Sequence, residues 1–186
     1  MYQIDFNHPA NVYFIGIGGI SMSGFAQLLH DYGFQVHGSD AHESKITDHL
    51  ESLGIHIIYG QSKENITGDI DFVVYTAAIH PDNPEFKAAK ELGLPMMERA
   101  EMVGQVMKNY QNAIAISGTH GKTTTTSMVS HIFLEAQKDP TISVGGILKA
   151  IDGNIRVGHS QDFITEACEY TNSFLKFHPT AGIILN

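Results

Sequence analysis

The chain has 186 residues, 42% hydrophobic and 17% charged, the composition of a soluble globular protein with one large or two small domains. Its formal net charge of −9 argues against a nucleic-acid or anionic-membrane surface, so anionic ligands must be held by local loops and a few cations. Cys168 is the only cysteine, which excludes an intrachain disulfide, and the eleven histidines show no HxxxH or HExxH spacing for zinc. Short apolar runs then alternate with helix-like segments, the pattern of a parallel α/β sheet. Residues 12–15 read as the first strand and 21–32 as a helix. Further strands are expected at 35–38, 55–58 and 72–75, with a helix at 43–53. The run Phe72-Val73-Val74-Tyr75 carries no charge, which predicts an interior strand. A Pro-Asp-Asn-Pro turn opens a helix at 83–92, a short strand covers 95–97, and a helix covers 100–110.

The polar break Asn109-Tyr110-Gln111-Asn112 precedes a second apolar run, Ala113-Ile114-Ala115-Ile116. We therefore expect a Rossmann-like parallel-sheet domain over residues 1–110, followed by a truncated phosphate-loop α/β domain over 111–186. In the second part a helix is expected at 126–136, strands at 142–144 and 163–165, and a hairpin around Asp152-Gly153-Asn154. Ile183-Ile184-Leu185-Asn186 reads as a buried core strand, and the expectation of truncation rests on a chain that stops there. No apolar run approaches the roughly 20 residues that span a bilayer. The first residues lack the basic and apolar regions of a signal peptide, so a cytoplasmic location is expected.

The most informative stretch is Gly118-Thr119-His120-Gly121-Lys122-Thr123-Thr124-Thr125. A strand, a glycine turn with Lys-Thr and then a helix is the arrangement that grips nucleotide phosphates. Glycines admit phosphate oxygens to the backbone N–H groups, and a helix start adds unpaired donors. Lys122 would reach the β- and γ-phosphates, and the Thr123 hydroxyl would ligate Mg²⁺. The common phosphate loop has four residues between its glycines, whereas Gly118 and Gly121 enclose only Thr119 and His120. An ordinary strand–helix turn is the alternative. Glu166 follows a strand in the position where a carboxylate completes such a Mg²⁺ shell. Glu169 is a second candidate, and Cys168 between them reads as a small core residue.

The other glycine turn is Gly16-Ile17-Gly18-Gly19-Ile20-Ser21-Met22-Ser23-Gly24, between the first strand and its helix. It is a phosphate-binding first turn in which Ser21 stands where the dinucleotide fingerprint has glycine. Asp40 stands at the ribose-binding position. A glycine turn used only for tight packing is the alternative. Thr76-Ala77-Ala78 after the fourth strand leaves room for a ligand or for close packing. Arg99 can hold a phosphate or carboxylate, or pair with Glu98 or Glu101.

Two phosphate loops in this order resemble the Mur ligases of peptidoglycan synthesis. The residues that carry the resemblance are Gly16 to Gly24, Thr76 to Ile79, Glu98 to Met102, Gly118 to Thr124, Gly145-Gly146, and Glu166 to Phe177. The compact Gly-Thr-x-Gly-Lys-Thr loop is the family's own, and His120 at its variable position looks like the muramate–alanine branch. Glu166-Ala167-Cys168-Glu169 departs from the commoner Glu-Ala-Asp-Glu form but keeps both glutamates. The resemblance implies that the first domain holds the UDP of a sugar substrate, through Gly16, Gly18, Gly19, Ile20, Ser21, Met22, Ser23, Asp40, Thr76, Ala77, Ala78 and Arg99. It implies ATP at Gly118, Thr119, His120, Gly121, Lys122, Thr123 and Thr124, and Mg²⁺ at Thr123 and Glu166, with Lys122 and Glu166 catalytic. The implied partners are UDP-N-acetylmuramate, L-alanine and ATP, joined through an acyl phosphate, with no nucleic acid and no membrane. The family continues past Leu185-Asn186 into a segment with a metal-organising histidine, so the resemblance implies an N-terminal fragment that binds UDP-sugar without turnover. Exposed sheet edge predicts self-association, or disorder after about residue 112. A murein-tripeptide recycling ligase and an NAD-binding Rossmann redox or regulatory module are the competing readings. The Met22-Ser23-Gly24 turn and the Glu166 segment favour the biosynthetic branch over recycling.

Overall fold

A computed structural model describes residues 2–168 and 170–186, so Glu169 lies outside the described residues. The chain divides into two compact units, Met1–Met102 and Val103–Asn186.

The first unit is a five-stranded, all-parallel sheet in the order β3-β2-β1-β4-β5. Its strands are β1 (Asn11–Ile15), β2 (Gln35–Asp40), β3 (His56–Tyr59), β4 (Phe72–Tyr75) and β5 (Met96–Glu98). The order, with β1 beside both β2 and β4, is Rossmann-like. Val12, Tyr13, Phe14, Ile15, Phe72, Val73 and Val74 are wholly buried, as strands covered on both faces must be. The charge-free run of β4 sits in the interior, between β1 and β5.

Three helices connect the strands and a fourth follows β5, and their ends follow local chemistry. Helix α1 (Ile20–Asp31) buries Met22, Phe25, Ala26, Leu28 and Leu29, a helical stripe facing the sheet. Helix α2 (Lys45–Ser52) starts on a capping box, in which Ser44 and Thr47 exchange side-chain and backbone hydrogen bonds. Helix α3 (Pro84–Glu91) starts where the Asn83 side chain accepts from the Glu85 and Phe86 N–H groups. Helix α4 (Arg99–Met107) begins in the first unit, and the division at Met102/Val103 falls inside it.

The second unit is a five-stranded mixed sheet in the order β10-β6-β9-β7-β8. It comprises β6 (Asn112–Ser117), β7 (Thr141–Leu148), β8 (Gly153–Arg156), β9 (Asp162–Ala167) and β10 (Ala181–Ile184), with helix α5 (Lys122–Glu135) after β6. All pairs are parallel except β7–β8, which is the expected hairpin. Its turn lies at Lys149–Asp152, where a short 3-10 segment ends on Asp152 at φ +50°.

Three sequence expectations change here. Helix α5 starts at Lys122, four residues before position 126, because Gly121 turns the chain at φ +83° and Lys122 to Thr124 are already helical. The terminal strand is not buried: β10 is an edge strand paired with β6, and Ile184 is 84% exposed. Of the two alternatives expected after about residue 112, self-association or disorder, the described residues there carry regular strands and a helix rather than disorder.

Candidate functional site

In the first unit, strand register assembles the site. Ile15 pairs with Ser39 and with Tyr75, and Tyr75 pairs with Glu98. The residues one step further along these four strands are Gly16, Asp40, Thr76 and Arg99. Four sequence-predicted positions, separated by up to 83 residues (99 − 16), thus form one row at the carboxyl ends of parallel strands. That edge is where open α/β sheets bind ligands.

The loop after β1 is held from below. Gly16 turns at φ +80°, and the N–H groups of Gly16 and Ile17 both donate to the Ser39 carbonyl at 2.9 Å. The Gly18 N–H donates to Asp40 Oδ2 at 2.8 Å. A Cβ on Gly18 would lie 2.8 Å from that oxygen and 2.9 Å from Thr47 Cγ2, so only glycine lets the loop close on Asp40. Asp40 therefore clamps the loop, a role its spacing did not reveal. Helix α1 begins at Ile20 with Gly19 as a cap that offers no side-chain bond, so its first turn presents N–H donors and a positive dipole end. Arg99 Nη1 donates to Ser21 Oγ at 3.1 Å, which brings a cation to the same helix start. Ile20 and Gly19 are exposed, whereas the Met22 side chain is buried, so Met22 contributes at most its backbone. Ala77 and Ala78 are exposed beyond Thr76, and Ile79 reaches the neighbourhood of Gly16.

A buried carboxylate lies beneath this loop. Glu85 is fully buried and accepts from Tyr13 Oη at 2.7 Å, Ser39 Oγ at 2.6 Å and Asn65 Nδ2 at 2.7 Å. Burial pushes the Tyr13 hydroxyl well above the usual tyrosine value. Ser39 joins the two layers: its carbonyl holds Gly16 and Ile17, and its hydroxyl donates to Glu85. No motif in the sequence marks Glu85, which is one glutamate among the twenty acidic residues.

The second unit builds its loop in the same way. Ser117 pairs with Ala167 on one side and Ile184 on the other, so Gly118, Cys168 and Leu185 follow in register. Gly118 and Gly121 take φ +144° and +83°. A Cβ on Gly118 would lie 3.0 Å from Leu185 Cβ, and one on Gly121 3.4 Å from Leu185 Cδ1. Lys122 Nζ donates to the Gly118 carbonyl at 2.5 Å, folding back over the loop. The N–H groups of Thr119 and His120 donate to Asn186 Oδ1 at 2.8 and 3.1 Å. Gly121 provides no side-chain cap for α5, so Thr123 and Thr124 stand in an uncapped first turn.

Glu166 lies on β9 and faces the loop. Its Oε2 accepts from Thr123 Oγ1 at 3.2 Å, and its Oε1 from the Gly145 N–H at 2.8 Å. The two residues predicted to share a metal are thus in contact. Gly145 explains itself here, because a Cβ on it would lie 2.7 Å from Glu166 Oε2. Gly146 approaches the Thr123 methyl, at 3.3 Å from the position of a Cβ. Among the described residues no group of three or more His, Cys, Asp or Glu converges as a metal cage. The donors present, one hydroxyl and one carboxylate, are hard oxygen ligands. They suit Mg²⁺, which takes one or two protein ligands and completes its shell with phosphate oxygens and water. Glu169, the other acidic candidate, lies outside the described residues.

Known proteins resemble this chain in sequence and in fold. Residues 11–111 match the family described as "Mur ligase family, catalytic domain". The UDP-N-acetylmuramate–L-alanine ligase of Agathobacter rectalis is 64% identical over 186 residues, all of this chain and 40% of that protein. The protein of the same name from Lachnospira eligens is 67% identical, with the same coverage. Among solved structures, the UDP-N-acetylmuramate–alanine ligase of Thermotoga maritima superposes with a TM-score of 0.82 at 35% identity, covering 94% of this chain and 40% of that one. A UDP-N-acetylmuramate:L-alanyl-γ-D-glutamyl-meso-diaminopimelate ligase from Neisseria meningitides gives a TM-score of 0.83 at 26% identity, covering 95% of this chain and 60% of that one. The chain spans about 40% of the length of the curated relatives it matches. Both the sequence match and the two-sheet α/β architecture place this chain in the Mur ligase family.

Proposed function

We propose that the chain supplies the UDP-sugar site and the ATP phosphate loop of a ligase that joins L-alanine to the lactyl carboxylate of UDP-N-acetylmuramate. The observation that carries the reading is the convergence of Thr123 and Glu166 beside the Gly118–Thr124 loop. In this reading residues 1–110 bind the sugar nucleotide, and residues 111–186 bind ATP. The choice of L-alanine is supported by relatives of that name at 64 and 67% identity, against 26% for the tripeptide-type ligase. The absence from the described residues of any helix able to cross a membrane is compatible with a cytoplasmic ligase.

Gly16, Gly18, Gly19, Ile20, Ser21, Met22 and Ser23 would hold the diphosphate at the start of α1, with Arg99 as the cation. Thr76, Ala77 and Ala78 would line the sugar side, and Asp40 would keep the loop closed. At the other loop, Gly118 to Thr124 cradle the ATP phosphates, and Lys122 exchanges the Gly118 carbonyl for phosphate oxygens. Thr123 and Glu166 would hold Mg²⁺, which neutralises charge on the phosphates when bound. The lactyl carboxylate attacks the γ-phosphorus and displaces ADP, and Lys122 stabilises the charge on the transferring group. The amine of L-alanine then attacks the acyl carbon, phosphate leaves as the C–O bond breaks, and the nitrogen gives up a proton to solvent.

These 186 residues alone would bind the UDP-sugar without turnover. Their exposed Met128, Ile132, Ile147 and Ile184 favour self-association, which light scattering would detect as a dimer or larger species. The decisive experiment compares thermal shifts with UDP-N-acetylmuramate, MgATP and NAD. A ligand at a hundred times its Kd adds about 2.7 kcal/mol. A shift with NAD and none with the UDP-sugar refutes the proposal. Phosphate release at the rate of an intact ligase refutes the part concerning turnover.

A further inference from the structure

Asn186 stands at the phosphate loop without belonging to the loop motif. It follows β10, whose last register pair sets Ile184 beside Ser117, and the Leu185 N–H donates to the Ser117 carbonyl at 3.0 Å. That pairing delivers the next side chain to the loop. Two backbone donors, the N–H groups of Thr119 and His120, converge on a single atom of Asn186 at 2.8 and 3.1 Å. Only an oxygen can accept both, which fixes the orientation of the amide. Its Nδ2 points back at the His120 carbonyl, at 3.4 Å. One carboxamide thus addresses the donors of two loop residues and the acceptor of one.

These bonds divide the loop into two halves. The first half, Thr119 and His120, is satisfied by Asn186. The second half, from Gly121 into α5, has no side-chain cap and carries Lys122 and Thr123. A loop with two glycines at positive φ is costly to order, since glycine loses the most conformational freedom on folding. Anchoring one half to the sheet edge lowers the ordering that a nucleotide must supply on binding.

We infer that Asn186 is a positioning residue: it braces Thr119 and His120 so that the Gly121–Thr123 end of the loop is preformed for phosphate. The inference rests on the reading of this loop as the ATP site. Asn186 bonds the loop backbone at Thr119 and His120, so in this inference its effect on affinity acts through loop order.

The test uses the ¹⁵N-labelled chain with Asn186→Ala and Asn186→Asp, measuring amide hydrogen exchange and MgATP affinity. In the ligand-free protein, Asn186→Ala should speed exchange at Thr119 and His120 about tenfold. Exchange in β6 should not change. Asn186→Asp keeps an acceptor oxygen and should retain protection at both amides. MgATP affinity should fall several-fold in Asn186→Ala, with UDP-sugar affinity unaltered. Unchanged exchange at Thr119 and His120 in Asn186→Ala overturns the brace. So does tighter MgATP binding, because the carboxamide would then be competing with phosphate for those donors. Absence of MgATP binding to the wild-type chain, with normal protection, fails the ATP reading and leaves the brace supported by exchange alone.

Discussion

Gly145→Ala isolates the Thr123–Glu166 pair with a single methyl group. Gly145 has no left-handed φ, so alanine suits its backbone and the effect is steric. The new Cβ would lie 2.7 Å from Glu166 Oε2, 3.2 Å from Cδ and 3.3 Å from Oε1. Every one of these contacts is with the carboxylate, which must swing away. It then gives up the 2.8 Å bond from the Gly145 N–H and the 3.2 Å bond from Thr123 Oγ1. A hydrogen bond to a charged acceptor contributes about 1.5–3 kcal/mol when dry. Glu166 is half-buried, and water recovers part of that loss, so the net destabilisation should be about 1 kcal/mol. In a chain of this size that lowers Tm by roughly 2–4 °C. The ligand effect should be larger, since a displaced carboxylate no longer faces the metal. MgATP affinity should fall at least tenfold, about 1.4 kcal/mol. Gly182→Ala is the control, because a Cβ there meets nothing within 4 Å. Calorimetric titration of both variants checks the prediction. Wild-type MgATP affinity in Gly145→Ala would refute the assignment of Glu166 to the metal.

Two further predictions concern the first unit. Glu85→Ala leaves the Tyr13 and Ser39 hydroxyls without their acceptor in the interior, at about 1–3 kcal/mol each. Denaturant unfolding should show a loss of about 2–6 kcal/mol, and a loss of under 1 kcal/mol would mean that these hydroxyls find other partners. His37 is half-buried, and burial holds its imidazole below the usual value of 6.5; His56 adds to the shift and Asp69 opposes it. The folded state therefore favours neutral His37. Its stability contribution is complete above about pH 6.5 and is lost as pH falls from there toward the lower folded value. Tm should fall as pH drops below about 6.5, and His37→Gln should flatten that limb. An unchanged limb in the variant would assign the pH dependence to other groups.

Much of this architecture was legible in the residues. The apolar runs at 12–15, 72–75 and 113–116 lie within observed strands, because strands covered on both faces need unbroken apolar sequence. The helix after the phosphate loop was placed too late. Lys122 and Thr123 read as loop chemistry, and the turn of Gly121 that makes them helical leaves no periodic signal. The last strand read as core because Ile183-Ile184-Leu185 is apolar, yet Ile184 is exposed at a sheet edge. Composition cannot tell an edge from a centre, since that depends on which strands pair.

The sequence by itself determined the two glycine loops, their attachment to strands and helices, and the α/β class, because these depend on neighbouring residues and local backbone freedom. Only the tertiary structure decided which distant groups meet. Register placed Gly16, Asp40, Thr76 and Arg99 in one row, and Glu166 against Gly145 and Thr123. It also brought Glu85 beneath Ser39, and Asn186 to Thr119 and His120 across 66 residues or more. Such contacts arise from the pairing order of whole sheets, and no local spacing encodes them.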